Sequence, residues 1–184
     1  MLRFGILLLA LLAGIASADE SLRICHGYGC EYQVSVRFTE GQLGQIRRMM
    51  FAATDAATER GVLAVAIGRL YAWGGEQSEI HNDRGGNYAD DNVSGKMDCI
   101  DHSTSTTRLL QLLTRRGYLR WHRLLEPQSR DFAGIVPVHW SAVIEEKQDG
   151  EPRRFVVDSW FVDNGQPAVI LPLEDWKKGA GPDV

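Results

Sequence analysis

Cys99, His139 and Asp158 are the side chains of this chain whose types and order could do covalent chemistry together. A cysteine attacks a carbonyl carbon as its thiolate. It then needs a base to handle the proton and a third group to orient that base. Cys99 stands where a helix should begin. There the unsatisfied N–H groups and the positive end of the helix dipole favour a thiolate. The same N–H groups can hold the negative oxygen of a tetrahedral intermediate. Asp98 and Asp101 flank the cysteine and oppose a thiolate by their charge, so a histidine partner must outweigh them.

His139 and Asp158 fall on an expected hairpin whose link is Lys147-Gln148-Asp149-Gly150. Val138, Trp140, Ala142 and Ile144 point one way, and His139, Ser141 and Val143 the other. A four-residue loop would set His139 opposite Asp158. A two-residue turn at Asp149-Gly150 would set Asp158 opposite Ser141, one diagonal away. Both registers leave His139 and Asp158 on one face, within cross-strand reach. The plainer reading makes His139 a core histidine and Asp158 a strand-end cap. An unpaired cysteine at a helix start turns the choice toward a catalytic or once-catalytic triad.

The order Cys, His, Asp, with Cys on a helix and its partners on adjacent strands, resembles the papain-like and transglutaminase-like superfamily. His139-Trp140-Ser141-Ala142-Val143 is similar to the strand bearing the papain histidine. Val156-Val157-Asp158-Ser159-Trp160 is similar to the papain Asn-Ser-Trp strand, with Asp158 in the place of Asn, as in transglutaminases. The resemblance spans about residues 95–162. The papain cysteine flank is absent, since Met97-Asp98-Cys99-Ile100 does not match it. No Gln stands where the oxyanion hole would take one, and Asn92 is the candidate in its place. The chain as a whole also resembles small exported proteobacterial proteins of unassigned function. The resemblance implies an acyl-transfer enzyme, peptidase, amidase or transglutaminase-like, acting without a cofactor.

The elements that must position these residues are read from spacing. Glu31–Phe38 has the β-branched and aromatic content of a strand. Thr39-Glu40-Gly41-Gln42 matches a capping box, and Leu43, Ile46 and Met50 follow at helical spacing, so a helix is expected over 40–56. A second helix is expected over 58–73, then a long loop over 74–95 rich in Gly, Asn and Asp. The cysteine helix should run from Asp98 or Cys99 to Arg115 and stop before Gly117. Strands follow at 118–125, 136–146, 154–161 and 168–171. The expected fold is α+β: N-terminal helices, then the Cys99 helix packed on an antiparallel sheet.

Arg3, the apolar stretch Phe4–Ile15 and the small residues Ala16-Ser17-Ala18 have the pattern of a secretory signal. Residues 1–18 are read as that signal and 19–184 as one domain. The apolar stretch falls short of the roughly 20 residues a membrane span needs. An uncleaved anchor is the alternative. Export to a periplasmic or extracellular space permits disulfides. Cys25-His26-Gly27-Tyr28-Gly29-Cys30 can close one over a glycine-containing turn, stabilising the chain by roughly 2 kcal/mol. Cys99 is then the unpaired thiol.

Composition narrows the partners. The chain has 184 residues, 44% hydrophobic and 24% charged, enough apolar content for a packed core. Its formal charge of −4 excludes a generally basic nucleic-acid surface. His81, Asp83, Asp101 and His102 match no metal-ligand spacing and read as solvated loop groups, so no metal is expected. His122 could stand in for His139 as base but shows no acid partner in sequence. Trp121, Trp140, Trp160 and Trp176 read as core and rim packing rather than a cleft. The location suggests a peptide or peptidoglycan-like substrate. The rival class is a non-catalytic envelope binding or structural protein on the same fold.

Overall fold

The computed structural model describes residues 18–86, 93–131 and 138–182. The expected signal, apart from Ala18, and the oxyanion candidate Asn92 lie outside these residues. So do the first two positions of the strand expected at 136–146.

The described residues open with a hairpin of strands β1 (Glu20–His26) and β2 (Tyr32–Phe38), pairing Leu22 with Val36 and Ile24 with Val34. The sequence reading missed β1, although Ser21-Leu22-Arg23-Ile24 alternates as a strand must. Between the strands, Gly27, Tyr28, Gly29 and Cys30 all take positive φ, from 60° to 86°. The Cys25–Cys30 disulfide closes this turn.

Helix α1 (Glu40–Ala52) starts at Thr39 with the expected capping box, Thr39 and Gln42 bonding each other's backbone N–H. It stops earlier than expected because Asp55 begins a new helix with its own capping box to Thr58. Helix α2 (Ala56–Gly75) therefore starts earlier and ends later than expected. Gly68 within it admits a neighbouring loop. A Cβ there would collide with the Gln166 carbonyl oxygen. A short 3-10 helix, Glu79–Asn82, occupies part of the expected loop.

Helix α3 (Cys99–Arg115) ends in a Schellman motif. Gly117, at φ 68°, sends its N–H to the Thr114 carbonyl, and the next N–H, of Tyr118, reaches the Leu113 carbonyl. Strands β3 (His122–Arg130), β4 (His139–Glu146), β5 (Arg154–Asp158) and β6 (Val169–Pro172) then form one antiparallel sheet in that order. The expected strand at 118–125 is displaced. Tyr118 and Leu119 are buried in the connection, and β3 continues past Pro127. Register shifts between Leu125 and Gln128, a bulge that accommodates a residue with no N–H to give the ladder. A last short helix, α4 (Leu173–Lys177), also went unread. The fold is α+β.

The sheet has two covered faces. Ala142, Ile144, Phe155 and Val157 join α3 residues Leu109, Leu110, Leu112 and Leu113 in the main core. Val143 and Val156, one residue out of phase, join Trp160, Phe161, Leu173 and Trp176 in a second cluster on the other face. Cys99, although it belongs to α3, packs against that second cluster.

Candidate active site

Cys99 is the first residue of α3 and is half-buried. Asp98 caps the helix, accepting the Asp101 N–H at 2.8 Å, while Asp98 N–H bonds Asp101 in return at 3.1 Å. This capping box leaves the N–H groups of Cys99 and Ile100 without an intrahelical acceptor, as helix geometry requires of the first turn. The Cys99 sulfur lies 3.7 Å from the carbonyl oxygen of Val138, directly before the first residue of β4. Helix α3 covers one face of the sheet, and its first residue reaches the side chains of the other at the end where β4 begins.

His139 and Asp158 occupy that other face. His139 Nε2 and Asp158 Oδ2 are 2.7 Å apart, both side chains buried. The β4–β5 register pairs Ala142 with Val157, so one step further sets Asp158 opposite Ser141. This is the register expected of a two-residue turn at Asp149-Gly150, although the ladder itself ends at Glu146 and Arg153, and the His–Asp contact is diagonal. Two further donors fix the carboxylate. Trp176 Nε1–H reaches Oδ2 at 2.9 Å, and Trp160 N–H reaches Oδ1 at 3.3 Å. Trp160, Phe161 and Trp176 wall the imidazole, with ring centroids 4.8, 5.4 and 5.6 Å away. Burial works against a charged imidazole here. Hydrogen bonds to Asp158 and to Cys99 outweigh it and raise the His139 pKa to about 9.

Behind Cys99 and His139 runs a buried polar chain that sequence reasoning missed. His102, three residues along α3 from Cys99, bonds Asp83 through Nε2 at 3.0 Å and Ser159 Oγ through Nδ1 at 2.9 Å. Ser159 also meets Thr106 Oγ1 at 2.9 Å, and Thr106 meets the Tyr71 hydroxyl at 3.0 Å. Asp83 accepts the Met97 N–H at 2.8 Å. Asp83, Asp101 and His102 are thus buried, and only His81 of the four is exposed. Reading Asp83, Asp101 and His102 as solvated loop groups was wrong, while His81 fits that reading. Loop composition says nothing of which polar groups find buried partners. Thr106, a β-branched residue within α3, belongs to this chain.

His122 does have an acid partner. Its Nδ1 lies 2.8 Å from Glu59 Oε1, and Glu59 also accepts the N–H groups of Arg120 and Trp121. Burial would push this carboxyl up, but those hydrogen bonds win and hold it below its ordinary value. A carboxylate so engaged joins α2 to the start of β3. The four tryptophans divide: Trp160 and Trp176 are buried beside His139, while Trp140 is 38% exposed. Among the described residues, the one cluster with metal-ligand spacing is Cys25, Cys30 and Asp101, and its two sulfurs are joined to each other.

No protein-family profile, no curated protein and no solved structure matches the chain.

Proposed function

We propose that the protein is an exported thiol enzyme that cleaves or exchanges an amide or isopeptide bond through a Cys99 thioester. One observation carries the reading. A buried His139 is hydrogen-bonded to Asp158, and the Cys99 sulfur lies 3.7 Å from the carbonyl oxygen of the preceding residue, Val138, near enough to help raise the imidazole pKa. The resemblance to papain-like and transglutaminase-like proteins points the same way.

The chemistry follows from the positions. The Cys99 thiolate attacks the carbonyl carbon, favoured by the adjacent imidazolium. The oxygen takes the negative charge and meets the first N–H groups of α3. His139 gives its proton to the departing amine as the C–N bond breaks, leaving a thioester on Cys99. Water or a second amine then attacks the thioester, and His139 takes its proton. The products are an acid or a new amide, and the thiolate returns. Asp158 keeps the imidazole aligned and stabilises its cation throughout. The Cys25–Cys30 bond fits an oxidising, exported setting, where peptide or peptidoglycan crosslinks supply such carbonyls.

The test is the reactivity of Cys99. At pH 7, iodoacetamide should label Cys99 at least tenfold faster than a thiol of ordinary pKa, and H139A should abolish the excess. Incubation with envelope fractions should add an acyl mass to Cys99. Labelling of the wild type no faster than glutathione overturns the enzyme reading and leaves a binding protein.

A further inference from the structure

Three polar side chains of α3, at positions 101, 105 and 108, lie in a row, and all three bond the Cys25–Cys30 hairpin. Asp101 accepts the N–H groups of Tyr28 at 2.8 Å and Cys30 at 2.7 Å. Ser105 Oγ accepts the Cys25 N–H at 2.9 Å. Arg108 donates to the Arg23 carbonyl at 3.0 Å and lies 3.3 Å from the Cys25 sulfur. The grip extends forward past Cys99. Asp98 accepts the Gly29 N–H at 2.9 Å, and Gly27 N–H donates to the Lys96 carbonyl at 2.8 Å. Residues on both sides of the nucleophile are therefore held by one loop from the far end of the chain.

That loop would not keep its shape alone. Four successive residues have positive φ, and Tyr28 and Cys30 are not glycine. L-residues avoid this region unless their surroundings over-determine it. The disulfide and the two carboxylates supply that constraint together. The conformation turns the three N–H groups of residues 28–30 toward Asp98 and Asp101, a small concavity for negative charge. It thereby meets the difficulty these aspartates pose. Their charges oppose a thiolate at Cys99, and the loop's peptide dipoles offset them while fixing their direction.

We propose that the disulfide-closed loop Cys25–Cys30 is the positioning element of the Cys99 centre, acting through Asp98 and Asp101, and that opening the disulfide disables the thiol. The proposal rests on Cys99 being the activated nucleophile. With the loop open, the donors of residues 28–30 leave the carboxylates, and the first turn of α3 loses its fixed place against Val138 and His139. Other charged groups facing this turn are Lys96, whose ammonium sits 4.4 Å from the Tyr28 ring centroid, Arg108, the buried Asp83–His102 pair, and the His139–Asp158 pair. Burial pushes the Asp101 carboxyl up to about 6, with Asp98 adding to the effect and the loop's N–H bonds opposing it.

The experiment compares Cys99 labelling with the loop closed and open. Dithiothreitol opens the bond by passing two electrons and two protons to Cys25 and Cys30 and closing into its own disulfide. The desalted protein is labelled briefly with iodoacetamide from pH 5 to 9, and each site is read by peptide mass. The variant C25A/C30A repeats the comparison without reductant, and near-ultraviolet circular dichroism reports the fold. In both open forms the Cys99 rate at pH 7 should fall at least tenfold and its pH midpoint should rise, with the fold retained. A purely structural loop would leave the midpoint where it was, and that result overturns the proposal. Loss of the fold in both open forms also overturns it, since the loop would then support the whole domain rather than this turn. If closed wild-type protein labels no faster than glutathione, the nucleophile reading itself has failed and the proposal falls with it.

Discussion

His139 and Asp158 are hydrogen-bonded at 2.7 Å although the sheet register sets Asp158 opposite Ser141. The contact is made across the diagonal of the β4–β5 ladder, and Trp176 Nε1–H closes on the same carboxylate oxygen from α4. Three elements thus meet at one oxygen atom. D158A should therefore lower Cys99 labelling at pH 7 by at least about tenfold, and turnover by roughly a thousandfold or more by analogy with serine triads. Far-ultraviolet circular dichroism should be unchanged. Labelling at the wild-type rate would reduce Asp158 to a structural cap.

The thiol inventory gives a second check. Cys25 and Cys30 are bridged and Cys99 is free. Alkylation of unfolded protein without reductant should add one group by intact mass, and alkylation after reduction should add three. Three groups without reductant would show that the bridge does not form.

Stability should depend on pH through His139. Its folded pKa of about 9 lies above the unfolded value near 6.5. The folded state therefore binds the proton more tightly. The stability this adds is complete below about pH 6.5 and is lost as pH rises through 9. The difference amounts to something on the order of 3 kcal/mol. Denaturant midpoints measured from pH 6 to 10 should fall across that window, and the fall should shrink in H139A. A flat profile in wild-type protein would contradict the His139–Asp158–Cys99 interaction.

Glu59 should behave in the opposite way. E59A strands the N–H groups of Arg120 and Trp121 and the buried His122 ring, so it should cost about 3–5 kcal/mol in urea unfolding. Because the folded Glu59 pKa is depressed, its contribution is present above the unfolded value near 4.5 and disappears as pH falls. Cys99 labelling in the folded variant should match wild type. A loss of labelling would put His122, not His139, in the role of base.

Local signals were enough for several elements. The capping box at Thr39, the start of α3 at Asp98, the stop at Gly117 and the alternation of β4 are written within a few residues each, because caps and pleats depend on near neighbours. The two faces of β4 followed from alternation alone, and so did the choice of His139 and Asp158 as neighbours. The Cys25–Cys30 pairing was legible because its loop is short. Tertiary structure decided the rest. The register, and so the diagonal contact, depended on turn geometry that sequence left as two alternatives. Trp176 met Asp158 only because α4 folds back over β5. The burial of Asp83 and His102, the Glu59–His122 pair and the docking of loop 25–30 on Asp98 and Asp101 join residues 19 to 73 positions apart. No local pattern encodes such pairs, because a buried polar group is satisfied by whatever packing brings to it.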